Sequence, residues 1–278
     1  MIPRIIWIMW WQGIDEAPDL VKQCYASWKK YNSNWKIIFL DENNLAEYLN
    51  LRDIIDINRQ DITIQKIANL VRMNLLARYG GVWADSTCFC CRPLDDWIDD
   101  YSSSGFFAFE PSAKDRVMSN WFLASDKSCY LTRRFCEEHN LFWKNNQFLS
   151  RENKAGRFMV KKLKKILNQD ASRTRWWFSF FVLKVLRVYP YHVFPYLFAE
   201  LIKNDIQCRK IWEETKKISV DIPNKLQIEG MLKPLSEKIK REIDNREAPF
   251  YKLTWKYIRK NKDVPLEGTV LGYLLYSK

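Results

Sequence analysis

Two of the eight glycines in this 278-residue chain stand side by side, at Gly80-Gly81, and their surroundings leave the fold little freedom. Upstream, Ile64, Ile67, Ala68, Val71 and Leu75 recur at helical spacing and form one apolar stripe. Downstream, Val82-Trp83-Ala84 reads as a short strand. The helix stops at Tyr79-Gly80-Gly81, where a glycine takes up the left-handed conformation that satisfies the last carbonyls. The strand then delivers Asp85-Ser86-Thr87 to its C-terminal end, which is where ligands bind in open α/β sheets.

The rest of the first half fits the same architecture. Ile5 to Trp10 and Trp35 to Leu40 are continuous apolar runs that suit strands buried on both faces. Between them Leu20, Val21, Cys24 and Trp28 give a helical face, so the chain opens as strand, helix, strand. Runs at 105–109 and 120–124 predict two more strands, and Tyr130 to Trp143 a helix. The fold class is α/β, with residues 1–150 as its core and a mostly helical extension over 151–278 that is either separate or part of the same domain. Within that extension, helices are expected at 235–245 and 268–276 amid irregular, proline-punctuated chain. The glycine positions give neither G-x-G-x-x-G nor G-x-x-x-x-G-K, so neither a dinucleotide fold nor a phosphate-binding P-loop is supported.

A formal charge of +12 first suggests a nucleic-acid partner, but the charge is localised. Residues 1–150 are slightly acidic, whereas 151–188 carry eleven Lys and Arg against only Glu152 and Asp170. Aromatic and aliphatic residues, including Phe158, Ile166, Trp176, Trp177, Phe180 and Phe181, interleave with that charge. Such a segment suits an anionic membrane surface; its plainer reading is a solvated helix face over ordinary core aromatics. No nucleic-acid motif accompanies it, and no nucleic-acid partner is expected. Lys184, Arg187, Pro190 and Pro195 interrupt the most apolar stretch, leaving no run of about 18 uncharged apolar residues to cross a bilayer. Met1 leads straight into a strand with no secretory-signal pattern. Seven cysteines, an odd number with three crowded at Cys88, Cys90 and Cys91, suit reduced thiols. Two histidines far apart in the sequence give no zinc pattern.

An Asp at a strand end beside Ser and Thr oxygens forms a small set of hard ligands of the kind that holds Mg2+ or Mn2+ together with a diphosphate. Arg72 offers either a fixed positive fork for a phosphate or a partner that orients the Asp. On pattern alone, the same residues also serve as a turn and a structural ion pair. The motifs carry more than the pattern. Ile2-Pro3-Arg4-Ile5-Ile6-Trp7 followed by Trp10-Trp11-Gln12-Gly13, then Ala68-Asn69-Leu70-Val71-Arg72 and Arg78-Tyr79-Gly80-Gly81-Val82-Trp83-Ala84-Asp85-Ser86-Thr87, resembles bacterial capsular polysaccharide synthesis proteins, a branch similar to the family 32 glycosyltransferases with their Asp-x-Asp motif. The resemblance continues through Ser119 to Ser125 and Tyr251-Lys252-Leu253-Thr254.

That resemblance implies a GT-A-like fold and retaining transfer of a hexose from a nucleotide sugar, commonly UDP-linked, to a polyprenyl-diphosphate-linked glycan in capsule or O-antigen assembly. It implies a cytoplasmic enzyme, peripheral on the inner face of the plasma membrane through residues 151–188. Trp10, Gln12 and Gly13 would lie near the base. Asn69, Arg72, Gly81 and Asp85 would hold the donor, with Asp85 and Arg72 catalytic and Ser86 and Thr87 at the phosphate. Asp85 and Thr87 would be the metal positions. Two residues depart from the pattern: Thr87 replaces the second acidic residue, and Asn69 replaces the usual Asp. The lost carboxylate removes the usual bidentate ligand, which leaves the diphosphate to be held partly by Arg and Lys side chains. Glu110, Asn120 and Trp121 are acceptor-site candidates, each with a plainer reading as strand-end surface or core. His192 offers a late metal or phosphate contact, or a structural histidine. Two other activities compete with this reading: sugar-phosphate transfer, and binding to membrane or nucleic acid by a chain with a decayed donor site.

Overall fold

The computed structural model describes residues 1–150, 152–260 and 264–276. The first strand, β1 (Ile5–Met9), leads through α1 (Asp19–Tyr31) to β2 (Lys36–Leu40). The apolar stripe at Ile64 forms α2 (Ile64–Tyr79), which runs directly into β3 (Gly81–Ala84). β4 (Cys88–Cys90), the single-turn α3 (Ile98–Tyr101), β5 (Phe106–Ala108), β6 (Phe122–Ser125) and α4 (Tyr130–Asn145) complete the first half. The main sheet has the order β2-β1-β3-β6-β5. β1 is parallel to both β2 and β3, whereas β6 is antiparallel to β3 and to β5.

Alternating residues along the strands feed two separate cores, as a sheet covered on both faces requires. Trp7, Trp83, Leu123 and Phe106 face α2 and α4 in one cluster. Ile6, Ile8, Val82, Ala84, Phe107 and Phe122 face Trp28 of α1 in the other. The chain leaves β1 toward β2 on one side and returns through α2 to β3 on the other. The C-terminal ends of β1 and β3 therefore flank a topological switch point, where an open α/β sheet leaves a crevice.

The glycine pair works differently from the left-handed cap that the sequence suggests. Gly80 has positive φ but extended ψ (φ 70°, ψ −157°), and its N–H still reaches the Leu76 carbonyl at 2.9 Å. Gly81 meets a tighter demand: a Cβ there would lie 2.5 Å from the Ile5 carbonyl oxygen of β1. The close pairing of β1 with β3 thus requires a residue without a side chain.

The second half is helical, with α5 (Lys154–Leu167), α6 (Val193–Asn204), α7 (Ile206–Glu214), α8 (Asp221–Glu229), α9 (Glu237–Asp244), α10 (Trp255–Lys260) and α11 (Val270–Tyr276). It is woven into the first. Between α9 and α10 lies β7 (Phe250–Lys252), which pairs antiparallel with β4, setting Cys88 opposite Lys252. Leu226, Met231, Leu253 and Leu271 from the tail share a core with Leu20 and Cys24 of α1. Ile218 and Val220 exchange backbone hydrogen bonds with Glu110.

The basic stretch divides its aromatics between two roles. Trp177 is fully buried over a small core with Leu167, Val182 and Tyr196, whereas Phe158, Trp176, Phe180 and Phe181 are exposed. The plain expectation of ordinary core aromatics therefore holds for Trp177 and fails for those four. Arg151, the first basic residue of that stretch, lies outside the described residues. No helix among the described residues is long and apolar enough to cross a membrane.

Candidate active site

Asp85 leaves the end of β3 with its backbone fixed on both sides. Its N–H donates to the Trp121 carbonyl at 2.8 Å, and its own carbonyl accepts from the Cys88 N–H at 2.9 Å. The side chain is just as constrained. Oδ1 accepts from Arg72 Nη2 at 2.6 Å and from Trp83 Nε1 at 2.9 Å. Arg72 rises from α2 with its side chain only 3% exposed, its guanidinium 4.8 Å from the centre of the Trp83 ring. Burial lowers the Arg72 pKa from its ordinary value, and the Asp85 carboxylate opposes that shift. Of the two uses the sequence allows for Arg72, the geometry realises the second: its hydrogen bonds go to Asp85 and Asn69, so it orients the carboxylate.

Asn69, one helical turn earlier on the same face, gathers the next layer. Its Oδ1 accepts from Arg72 Nη1 at 2.6 Å and from Asn120 Nδ2 at 3.0 Å. Asn120 and Trp121 precede β6, the neighbour of β3, and so reach the cluster from the next strand. The Trp121 ring stacks on Phe109 at 5.1 Å, which joins it to the core while its carbonyl anchors Asp85.

Thr87 is buried, and its hydroxyl accepts from the Lys252 ammonium. The same ammonium stands 3.8 Å from Asp85 Oδ2, and the Lys252 side chain is 15% exposed. Two further bonds hold Lys252 in place: the Leu253 N–H donates to the Thr87 carbonyl at 2.8 Å, and Gln227 Nε2 donates to the Lys252 carbonyl at 2.6 Å. Lys252 is the member of the cluster that sequence spacing did not single out. Its tetrapeptide, Tyr251 to Thr254, was legible as a motif, but nothing in the sequence said that it lies beside Thr87.

The structure brings Asn69, Arg72, Asp85, Thr87, Asn120 and the Trp121 backbone together, with Gly81 and Ser86 in the same strand and turn. Trp10, Gln12 and Gly13 emerge at the same sheet edge, because Trp7 of β1 lies beside Trp83 of β3 in parallel register. Trp10 packs edge-on against Trp255 at 5.6 Å, and its buried indole nitrogen has no hydrogen-bond partner among the described residues. Gly13 has positive φ in the turn closed by its N–H to the Trp10 carbonyl at 3.0 Å. Glu110 stands apart; it is exposed, and its backbone pairs with Ile218 and Val220. His192 is likewise outside the cluster, within 3 Å of Arg116 Nη1, and its pKa is pushed down to about 4 by burial and by that guanidinium. Asp95 accepts from the indole of Trp35 at 3.0 Å, a structural role. A depression of about 360 Å3 beside α6 and α7, lined in part by Val117, Ala171, Arg209 and Trp212, includes none of the predicted site residues.

The seven thiols are free and buried, and burial pushes those of Cys88 and Cys90 up to about 12. The trio beside Asp85 is therefore packing material with little thiolate character.

The sequence profile of capsular polysaccharide synthesis proteins matches residues 1–273. The chain belongs to that family. It is similar to the O-glycosyltransferase braB of Annulohypoxylon truncatum, at 27% identity over 157 residues, covering 50% of this chain and 37% of that protein. It is also similar to the uncharacterized glycosyltransferase L373 of Acanthamoeba polyphaga mimivirus, at 29% identity over 116 residues, covering 38% of this chain and 42% of that protein. Each match therefore spans less than half the length of the relative. Among solved structures, the PaToxG glycosyltransferase aligns over 88% of this chain and 84% of its own, with 14% identity and a TM-score of 0.34.

Proposed function

We propose that this capsular polysaccharide synthesis protein is a GT-A-like glycosyltransferase that moves a hexose from a nucleotide sugar, UDP-linked and with retention, to a lipid-linked glycan. One observation carries the reading: a carboxylate held rigid by a buried arginine, with a cation beside it, at the mouth of the sheet's switch point. Relatives named as glycosyltransferases support it.

In the reaction, the bond from the anomeric carbon to the diphosphate oxygen breaks and its electron pair leaves with the diphosphate. An acceptor hydroxyl oxygen bonds to that carbon, and its proton passes to the departing diphosphate. Negative charge grows on the leaving group, so preorganised positive charge there lowers the barrier. Asp85 orients the donor, and Arg72, which does not reach the solvent-facing side, positions Asp85. Trp10, Gln12 and Gly13 face the base from the neighbouring loop, and Asn120 and Trp121 lie on the acceptor side.

The exposed Phe158, Trp176, Phe180 and Phe181, interleaved with exposed Lys and Arg, support docking on an anionic lipid leaflet, where a polyprenyl-linked acceptor resides.

The test is release of UDP from a panel of UDP-sugars in the presence of a lipid-linked acceptor. Asp85→Glu keeps the ion pair but displaces the carboxylate by about one bond length, and transfer should fall at least ~100-fold. Asp85→Asn and Arg72→Ala each break an ion pair whose arginine is buried, and Arg72→Ala should lower stability by about 3 kcal/mol, so Asp85→Glu is the clean variant. Undiminished transfer by Asp85→Glu removes the site assignment.

A further inference from the structure

The residues of the Asp85 cluster do not fit a divalent metal. Asp85 is the one carboxylate among them, and its Oδ1 is already taken by Arg72 and Trp83. At the two predicted metal positions the side-chain oxygens left for an ion are Asp85 Oδ2 and Thr87 Oγ1, and both face the Lys252 ammonium. A divalent ion between them would sit against that fixed positive charge. Mg2+ and Mn2+ sites draw on several hard oxygen ligands, and no group of three or more His, Cys, Asp or Glu among the described residues is placed to hold a metal.

The lysine, by contrast, is built into the site. β7 sets it opposite Cys88 in the register of the β4–β7 pair, so its Cα is fixed relative to Thr87. Its carbonyl is held by Gln227, and its ammonium by the Thr87 hydroxyl with Asp85 nearby. An ammonium has three donors, which leaves capacity for an incoming anion after Thr87 is satisfied. With Arg72 and Lys252 against Asp85, the cluster carries one net positive charge, and of the two cations Lys252 is the one with a solvent-accessible side.

We infer that the Lys252 ammonium occupies the cation position of this site: it binds the donor's diphosphate and neutralises the charge that grows on it as the glycosidic bond breaks, so the nucleotide binds without a divalent ion. The inference rests on the nucleotide-sugar reading above.

Calorimetric titration of the full-length protein with UDP and GDP, in EDTA and in Mn2+, separates the two ideas. The dissociation constant for one of these nucleotides should agree within about threefold between the two conditions, since no ion bridges protein and phosphate. Lys252→Met should weaken binding at least about tenfold in both, while Lys252→Arg keeps most of it. The double variant Thr87→Asp with Lys252→Met restores a second carboxylate and removes the ammonium, so its binding should become Mn2+-dependent. Loss of wild-type binding in EDTA overturns the role of Lys252 and leaves the nucleotide-sugar reading intact. Unchanged binding by Lys252→Met with wild-type unfolding behaviour overturns it equally. If neither nucleotide nor any sugar nucleotide of the panel binds in either condition, the reading itself falls, and the inference with it.

Discussion

The amide at position 69 keeps the buried charge balanced. Arg72 faces one carboxylate, Asp85, and one neutral oxygen from Asn69. A carboxylate at 69 would place a second anion on the same guanidinium and draw it from Asp85, so a residue that looks like a lost ligand in the sequence has a structural use in its present form. His139 shows how the same buried environment affects titration. It lies on α4 among Phe135, Trp143 and Phe194, and its Nε2 accepts from the Trp143 indole at 3.2 Å. Burial, followed by the nearby charges of Lys66 and Arg72, pushes its pKa from 6.5 down to about 3. Because the folded value is the lower one, the unfolded chain takes up a proton in that interval that the folded chain refuses. Its stabilising effect is therefore complete above pH 6.5 and lost progressively as pH falls toward 3. Between pH 7 and pH 5 this group alone should remove about 2 kcal/mol of stability, readable by urea unfolding at the two pH values. His139→Gln should flatten that dependence, and an identical pH slope in the variant would rule the explanation out. Asp85 and Arg72 could be singled out from sequence because they stand only 13 positions apart along one helix and strand, and local periodicity fixes how they meet. Lys252 follows Thr87 by 165 positions, and no local rule spans that distance.

Strands with continuous apolar runs, and the helix with a clean stripe, were legible because burial on two faces or one leaves its own period in the residues. β4 and β7 left none. Each has three residues, pairs with a segment remote in sequence, and takes its place from cross-strand contact rather than from its own composition. The predicted strand at 120–124 is observed at 122–125, and helix α2 begins at Ile64, the first residue of the apolar stripe, after an extended Thr63. At the level of elements, Gly81 carries a sharp expectation. A methyl at Gly81 meets the β1 backbone, which cannot yield without opening the β1–β3 pair, so Gly81→Ala should cost roughly 3 kcal/mol or more in thermal or denaturant unfolding. Gly268 is the control: it too has positive φ (69°), but among the described residues nothing lies within 4 Å of its would-be Cβ. Gly268→Ala should therefore lose only about 1 kcal/mol, the conformational cost by itself. Equal losses at the two sites would mean that strand proximity is not what selects Gly81.

Across the whole molecule, charge and chemistry are kept apart: the polar cluster belongs to the sheet edge, and most of the excess positive charge to residues 151–188. Co-sedimentation with phosphatidylglycerol vesicles should exceed that with phosphatidylcholine vesicles and fall with added salt, since each basic side chain near the headgroups is worth about 1 kcal/mol. Replacing Phe180 and Phe181 together by Ser should weaken vesicle binding at least about tenfold through lost apolar insertion. Equal binding to neutral vesicles, or no effect of the double replacement, would remove the docking surface. The pairing of β4 with β7 also has a consequence in time. A ribosome completes β1 through β6, and with them Asp85 and Arg72, long before it reaches Lys252. Phe250 of that late strand belongs to the core under the sheet and Lys252 completes the polar cluster, so both the packing of that face and the full set of site charges wait for a strand made long after the sheet itself.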